Sequence, residues 1–166
     1  MKPVWRVTTR LGRRVETTGH HPFLTPLGWQ PLHDLKPGDS IAVPRVHPSF
    51  GDNSSTPLEL ARLMAAEITT EFHASVWRFD EIRLREYLRV LFDRNATRAS
   101  QIIEFNVSGE SMARDVQHAL VRFGVVSRIH LTGSWRITIE EPEALERFAS
   151  RVGWLGEKHP APERRF

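Results

Sequence analysis

A chain of 166 residues, 40% hydrophobic and 26% charged, has the composition of one or two small globular domains, which excludes wholesale disorder. The absence of cysteine excludes disulfides, thiolate metal sites and a cysteine nucleophile, and without a membrane-length apolar run or a signal-peptide pattern we expect a soluble, cytoplasmic protein. The formal charge is +3 and arginine dominates the positive residues, which permits a polyanionic partner but is also typical of GC-rich or thermophilic genomes.

The first 46 residues have the pattern of a small all-β unit. β-branched residues over 4–18, interrupted at Gly12, predict a hairpin, and two short strands are expected within residues 23–32. A tight turn at 36–39 leads into a further extended stretch. No helical period appears, so residues 1–46 are expected to form strands and turns alone.

A second domain is expected over residues 56–159, after a polar linker at 47–55 and before a flexible tail at 160–166. The domain opens with Thr-Pro-Leu-Glu, which combines a capping-box spacing with proline at the first helical position. Apolar residues recur at helical spacing behind it, so a helix is expected to run from here to Glu67.

From residue 80 onward the sequence predicts the order α-β-α-β-β-α, with a weak additional strand near Thr97. The elements are a helix capped by Asp80, a strand at 101–107, a helix from Ser108 to Gly124, a hairpin at 128–139 and a last helix ended by Gly153. This order is typical of an antiparallel sheet with one face covered by helices, so the expected fold class is α+β.

Three stretches of the first domain resemble the central block of intein (Hint) domains. They read Thr-Thr-Gly-His-His-Pro-Phe-Leu-Thr from Thr17, Gly-Trp from Gly28 and Leu-Lys-Pro-Gly-Asp-Ser-Ile-Ala-Val-Pro-Arg from Leu35. In that family a Thr-x-x-His followed by proline polarises the peptide bond that is cleaved, and the matching residues are Thr18 and His21. Such an acyl shift needs a donor on the amide and a stabilised oxyanion. The alternative is that His20 and His21 are polar loop residues.

The resemblance does not extend to the residues that carry out splicing. Inteins begin with a Cys or Ser nucleophile and end with His-Asn, whose Asn cyclises, whereas this sequence begins at Met1, contains no cysteine and ends in Glu-Arg-Arg-Phe. The resemblance therefore implies a truncated Hint-like unit whose Thr18 and His21 have no scissile bond to act on. We expect no self-splicing.

The second domain resembles the LAGLIDADG homing-endonuclease family. Residues 88–96 read Leu-Arg-Val-Leu-Phe-Asp-Arg-Asn-Ala and align position by position with the motif helix Leu-Ala-Gly-Leu-Ile-Asp-Ala-Asp-Gly. Residues 115–125 resemble a later helix of members carried by inteins, especially those of replicative helicases and polymerases. The resemblance implies a reduced endonuclease domain.

Residues 60–68 resemble an eroded copy of the first motif helix in this family. The chain between them and Phe79 is too short for the sheet of a first repeat, which implies that this repeat has been deleted down to its helix. The alternative is that residues 56–67 and 80–93 are ordinary amphipathic core helices.

The family resemblance implies a degenerate catalytic pair, Glu67 and Asn95. In the family the last acidic residue of each motif helix holds a divalent metal, and hard cations such as Mg²⁺ need oxygen ligands. An amide at Asn95 removes a negative charge from that site, which leaves Glu67 as the metal ligand and implies Mg²⁺ only if nuclease activity persists. Asp93 matches an aspartate that caps or packs and is not assigned as a ligand. Cleavage is expected to be deficient.

Double-stranded DNA is the partner that the sheet of the second domain would bind. If the apolar side chains of the strands pack on the helices, alternation turns a polar set outward: Ser100, Ile102, Glu104, Asn106, Arg128, His130, Arg136 and Thr138. We assign DNA binding to Asn106, Arg128, His130, Arg136 and Thr138, because arginine suits guanine or phosphate and asparagine suits adenine. The alternative is a plain solvated face, and Ile102 and Glu104 indicate erosion.

The preferred hypothesis is a relic of an intein endonuclease that binds double-stranded DNA, does not splice and cleaves poorly. One alternative is a weakly active, metal-dependent endonuclease, and another is an interaction module or split-intein piece that needs a complementary fragment. A homodimer through the motif helices is an open alternative to packing of the helix at 57–67 against that at 81–93 within one chain.

Overall fold

The computed structural model describes residues 3–67, 70–99 and 101–156, which form two compact units. The N-terminal unit ends at Pro44 and the C-terminal unit begins at Arg45. Antiparallel sheets and α-helices are both present, so the expected α+β class is confirmed. Within these residues, no helix combines the length and apolar character that crossing a membrane requires. The expected tail at 160–166 and Ser100 lie outside the described residues.

Two antiparallel hairpins make up most of the N-terminal unit. They are β1 (Val4–Thr8) with β2 (Arg14–Thr18), and β3 (Pro22–Thr25) with β4 (Gly28–Pro31). Gly12 has φ 84° and Gly28 has φ 101°, which are conformations that turns of this kind require and that glycine adopts readily. A short 3₁₀ helix, Leu32–Asp34, follows β4.

Residues 3–44, the described part of the N-terminal unit, form no hydrophobic core of their own. No side chain of residues 3–44 is buried. Large apolar side chains remain in solvent, with Trp5 58% exposed, Trp29 70% exposed and Leu27 86% exposed. Two-stranded ribbons without a covered face are only marginally stable, so backbone pairing alone does not explain how this unit would hold its form.

The C-terminal unit alternates helices with the strands of one antiparallel sheet. Its elements are α1 (Leu58–Glu67), a 3₁₀ helix (Ala74–Arg78), α2 (Glu81–Asn95), β5 (Ala96–Ala99), β6 (Ile102–Val107), α3 (Glu110–Arg122), β7 (Arg128–Thr132), β8 (Ser134–Ile139) and α4 (Pro142–Arg147), which continues as a π-helical turn (Phe148–Val152). The strand order is β5-β6-β8-β7. The predicted order from residue 80 onward is confirmed, including the additional strand at Thr97.

Local signals account for most of these helix boundaries. Asp80 is the N-cap of α2 and accepts a hydrogen bond from the Arg83 amide at 2.9 Å, as its position before an amphipathic stretch predicts. The sequence predicts that Ser108 caps α3, but the N-cap residue in the structure is Gly109. Glycine has no side chain that could accept a capping hydrogen bond. The last predicted helix ends at Gly153, where φ is 73°.

The core of the C-terminal unit lies between the helices and one face of the sheet. Phe105 of β6 and Ile137 of β8 are paired in register and are at most 1% exposed. Phe92 of α2 meets Phe105 with ring centroids 4.8 Å apart and Phe148 at 4.9 Å. Fully burying each such side chain contributes about 1.5–3 kcal/mol relative to leaving it exposed, so this layer stabilises the unit.

The segment 47–55, indicated as a linker by its composition, is hydrogen-bonded along the C-terminal unit. The His47 amide donates to the carbonyl of Val121 at 2.9 Å, and the Gly51 amide donates to the carbonyl of Phe79 at 2.9 Å. A Cβ atom at Gly51 would lie 2.0 Å from the Arg78 carbonyl oxygen. Glycine therefore permits this close backbone approach, which polarity and turn residues alone do not reveal.

Candidate nucleic-acid interface

The face of the sheet that points away from the core brings the predicted polar residues together. Three adjacent strands, β6, β8 and β7, place Asn106, Arg136 and His130 in one cross-strand row. The same register places Glu104, Thr138 and Arg128 in the next row. The structure thus places all five predicted DNA-binding residues on one surface, as strand alternation requires.

Contacts within this surface pair its polar groups with one another. The Arg136 guanidinium lies 3.3 Å from a carboxylate oxygen of Glu104, and that of Arg128 lies 3.4 Å from a carboxylate oxygen of Glu140. Two arginines therefore face two glutamates, and their formal charges cancel. The sequence identified the arginines but not their pairing with glutamates on the same face.

Thr138 contributes to this surface differently from its predicted role. Its side chain is only 7% exposed, and its hydroxyl lies 3.0 Å from Nε2 of His130. Thr138 lies on the central strand β8 between Glu104 of β6 and Arg128 of β7, a position that the alternation of a single strand does not reveal. Thr138 is therefore placed to orient His130, whereas Asn106 is exposed.

Helices α1 and α2 pack side by side in parallel within the chain. The Arg83 guanidinium donates to the carbonyl of Thr56 at the start of α1, and the Arg94 guanidinium donates to the carbonyl of Ala66 near its end. Ala61 and Ala65 are at most 1% exposed, and their small side chains allow close approach of the two helices. The structure shows this packing within one chain, and a homodimer through the motif helices stays a prediction.

The predicted catalytic residues Glu67 and Asn95 lie at the C-terminal ends of these helices. Glu67 is exposed and follows two residues after the buried Ala65, about 200° around the helix, so it points away from α2. The Asn95 amide nitrogen donates to the Leu91 carbonyl at 3.0 Å. The cationic Arg94 guanidinium lies between the two helix ends.

This donor set does not fit a hard divalent cation. Such ions need several oxygen ligands, and in the described part of the chain no three His, Cys, Asp or Glu side chains converge to hold a metal ion. An arginine at the helix ends adds electrostatic repulsion of a cation. The assignment of Mg²⁺ to Glu67 stays a prediction, without geometric support.

A buried ion network beside the helix pair was not identified from the sequence. Glu86 is 7% exposed and accepts hydrogen bonds from Arg62 at 2.6 and 2.9 Å and from Arg89 at 2.8 Å. Burial alone would raise the pKa of Glu86, but the hydrogen bonds and charges of the two arginines outweigh it and hold that pKa below its ordinary value. The i, i+3 spacing of Glu86 and Arg89 on one helix could have indicated this ion pair. Arg62 lies on α1, and the sequence alone does not show that it reaches Glu86.

In the N-terminal unit, a turn brings Thr18 and His21 together. The His21 amide donates to the carbonyl of Thr18 at 3.0 Å, and the exposed His21 ring lies 5.2 Å from that of Phe23. The turn accounts for their spacing in the sequence. Their role in splicing chemistry stays a prediction.

Comparison with known proteins assigns a family resemblance to part of the chain. Residues 84–153 match the model of the LAGLIDADG-like domain. The matched residues begin within α2 and extend to the end of the π-helical turn, so they include every strand of the polar surface. The resemblance of the N-terminal unit to Hint domains stays a prediction.

The chain is also similar to segments of much longer replication proteins. It is 49% identical over 63 residues to the replicative DNA helicase DnaB of Rhodothermus marinus (38% of this chain, 7% of that protein) and 36% identical over 89 residues to DnaB of Nostoc sp. (52% and 10%). It is 24% identical over 216 aligned residues to the replication factor C small subunit of Pyrococcus horikoshii (90% and 24%). The chain thus spans about a quarter or less of the length of these relatives.

Proposed function

We propose that the chain is a degenerate relic of an intein-borne homing endonuclease that retains double-stranded DNA binding. One observation carries this proposal: the polar residues of β6, β7 and β8 form one surface within the residues that match the LAGLIDADG-like domain. The similarity to segments of DnaB helicases supports an origin in an intein of a replication protein. Neither splicing nor efficient cleavage belongs to the proposed activity.

The chemistry of the surface suits the edges and phosphates of a duplex. Arg128 and Arg136 carry planar guanidinium groups that bond guanine or phosphate in a bidentate manner, and Asn106 matches the donor and acceptor pair of adenine. His130 adds a ring nitrogen beside them, held by the Thr138 hydroxyl. The major groove admits a two-stranded β-ribbon, and β-sheet proteins place strands in the major or minor groove.

The proposal does not include efficient cleavage, because among the described residues at the helix ends the carboxylate of Glu67 has no second acidic side chain beside it. Glu67 points away from α2, and the Asn95 amide offers no negative charge. We expect no nicking of supercoiled plasmid in Mg²⁺ or Mn²⁺. Nicking that depends on the metal and disappears in Glu67→Gln would contradict this and establish a weakly active endonuclease instead.

A salt titration of duplex binding tests the proposal. In fluorescence anisotropy at low ionic strength, the wild-type chain should bind labelled duplex with an affinity that falls as salt rises. Arg136→Ala should weaken binding about tenfold and make the salt dependence shallower, by at most about 0.9 in slope, because one phosphate contact is lost. Arg151→Ala is the matched control, because Arg151 is exposed in the π-helical turn, outside the sheet. No salt-dependent binding, or equal losses in both variants, would overturn the proposal.

A second candidate function, an interaction module, is favoured by the coreless N-terminal unit. Its exposed Trp5 and Trp29 would be covered if a complementary intein fragment paired with the open edges of the hairpins and packed apolar side chains against these rings. Addition of such a fragment should then shift tryptophan emission to shorter wavelength, with no shift from Trp5→Phe and Trp29→Phe combined. An unchanged spectrum and no complex by size-exclusion chromatography would dispose of this candidate.

A further inference from the structure

Each arginine of the polar surface is already held by a carboxylate of the same surface. Arg136 and Glu104 lie on neighbouring strands with 36% of each side chain exposed, and their closest atoms are 3.3 Å apart. Arg128 and Glu140 are 33% and 40% exposed and 3.4 Å apart. In both pairs the glutamate lies diagonally across from the arginine. One pair joins β6 to β8, and the other joins β7 to the residue that follows β8.

We propose that Glu104 and Glu140 act as internal competitors of DNA phosphate and mask the two arginines in the free protein. The inference rests on the proposed function of this surface, and adds how its affinity is set. In each pair one carboxylate oxygen lies against a terminal guanidinium nitrogen, which is also a donor that a phosphate or guanine would use. Binding of a duplex therefore requires each arginine to exchange its glutamate for a group on DNA.

The exposure of the pairs makes this exchange feasible. Ion pairs open to solvent are weakened by water and salt, and each contributes little net stability. After the exchange, however, each glutamate is left without its partner and close to the phosphates. Masking therefore weakens DNA binding in two ways: an ion pair is lost, and the freed carboxylate repels the phosphates.

Masking also changes the salt dependence of binding. An arginine that neutralises a phosphate releases about 0.9 counterion per contact from B-DNA. A glutamate released at the same moment attracts a cation, which offsets part of that release. The wild-type chain should therefore show a shallower salt slope than two free arginines would give.

The alternative is that the glutamates stabilise the sheet without influencing its ligand. Glu104→Gln and Glu140→Gln separate the two, because glutamine keeps the shape of the side chain and removes the charge. Under that alternative, the variants would lose stability and bind duplex as the wild type does. Under masking, they would bind more tightly at unchanged fold.

The matched control is Glu146→Gln, which makes the same change of net charge at an exposed position of α4, outside the sheet. In anisotropy titrations of one labelled duplex across salt, each masking variant should bind about three- to tenfold more tightly than wild type, and the control should stay within about twofold. The double variant should exceed either single one and steepen the salt slope by up to about 0.9 per freed arginine. Arg136→Ala should abolish the gain from Glu104→Gln.

The possible outcomes separate the masking inference from the DNA-binding proposal. If wild type binds duplex but the masking variants gain no more than Glu146→Gln, masking is wrong and DNA binding stands. If neither wild type nor the double variant binds at low salt, both are wrong. Urea midpoints are measured for every variant. If Glu104→Gln lowers the midpoint, the test rests on comparing Glu140→Gln, just after β8, with Glu146→Gln.

Discussion

The two units of the chain treat apolar side chains in opposite ways. In the C-terminal unit, helices cover one face of a four-stranded sheet, and Phe105 is 1% exposed. In the N-terminal unit, two hairpins pair their backbones but present Trp5 and Trp29 to solvent. Strand pairing satisfies hydrogen bonds in both units, but only a second layer removes apolar area from water. We therefore expect the two units to differ in stability, dynamics and tolerance of substitution.

The largest expected difference is in amide hydrogen exchange. Amides of α2, α3 and β6 should exchange only through global unfolding, whereas those of the hairpins should exchange through local opening, at least about a thousandfold faster relative to their intrinsic rates. Exchange measured by mass spectrometry on the whole chain tests this. Equal protection of β1–β2 and β6 would show that the N-terminal unit is held as firmly as the core.

Truncating one large aromatic side chain in each unit should give the second-largest difference, in the free energy of unfolding. Phe105→Ala removes a ring in contact with Phe92 and should cost about 3–5 kcal/mol of unfolding free energy. Trp29→Ala removes a ring that is 70% exposed and should change it by less than about 0.5 kcal/mol. Urea denaturation followed by circular dichroism gives both values. A large loss from Trp29→Ala would mean that this ring is buried in solution.

Elements governed by local signals could be predicted from the sequence. The start of α2 follows from Asp80 and the apolar period behind it, and the two faces of β6 follow from alternation. The candidate interface followed as well, because a strand fixes which side chains share a face. The N-cap of α3 was predicted wrongly, because the N-cap residue is Gly109 rather than Ser108.

Features created by contacts between distant segments could not be predicted. The sequence identified Glu104 as a residue of the polar face that does not suit DNA binding. Its pairing with Arg136 depends on the register of two strands, and the two residues are 32 positions apart in the chain. The burial of Thr138 arises from neighbours on two other strands. The close approach at Gly51 involves the Arg78 carbonyl, and nothing in the composition of segment 47–55 points to it.

Charge removal in each unit should give a smaller contrast. Glu86→Gln leaves Arg62 and Arg89 without their buried counterion and should cost about 1–2 kcal/mol at neutral pH. Glu16→Gln removes the partner of Arg6 in a pair that is more than half exposed, and should have no measurable effect. Urea midpoints at pH 7 compare the two, and an equal loss would contradict the difference in burial.

The pH dependence sharpens this contrast. Because the pKa of Glu86 is lowered in the folded chain, its contribution is fully present above the ordinary glutamate pKa of about 4.3 and is lost as the pH falls through the lower folded value. The difference between wild type and Glu86→Gln should therefore shrink in acid. A difference that stays constant from pH 7 down to pH 3 would show that Glu86 acts through shape rather than charge.

The smallest expected effect has the opposite sign. Burial raises the pKa of Asp115 above its ordinary value and outweighs the hydrogen bond that its carboxylate accepts from the Phe72 amide at 3.0 Å, while the charges of Glu71 and His118 act in opposite directions. An acid whose pKa is raised on folding lowers stability as the pH rises from the unfolded to the folded pKa. Asp115→Asn keeps an acceptor for Phe72 and should stabilise the chain at neutral pH by less than about 1 kcal/mol.

The matched change in the N-terminal unit is Asp39→Asn, where an exposed side chain accepts a hydrogen bond from the Lys36 amide at 2.7 Å. We expect less than about 0.5 kcal/mol of change in stability there, because the side chain is exposed and asparagine keeps an oxygen that can accept this hydrogen bond. The gain from Asp115→Asn should fade as the pH drops below about 4, where the wild-type carboxyl is neutral in both states. Urea midpoints at pH 7 and pH 3.5 test the pair. A gain that persists in acid would mean that the amide stabilises the C-terminal unit through new hydrogen bonds rather than by removing a partly buried charge.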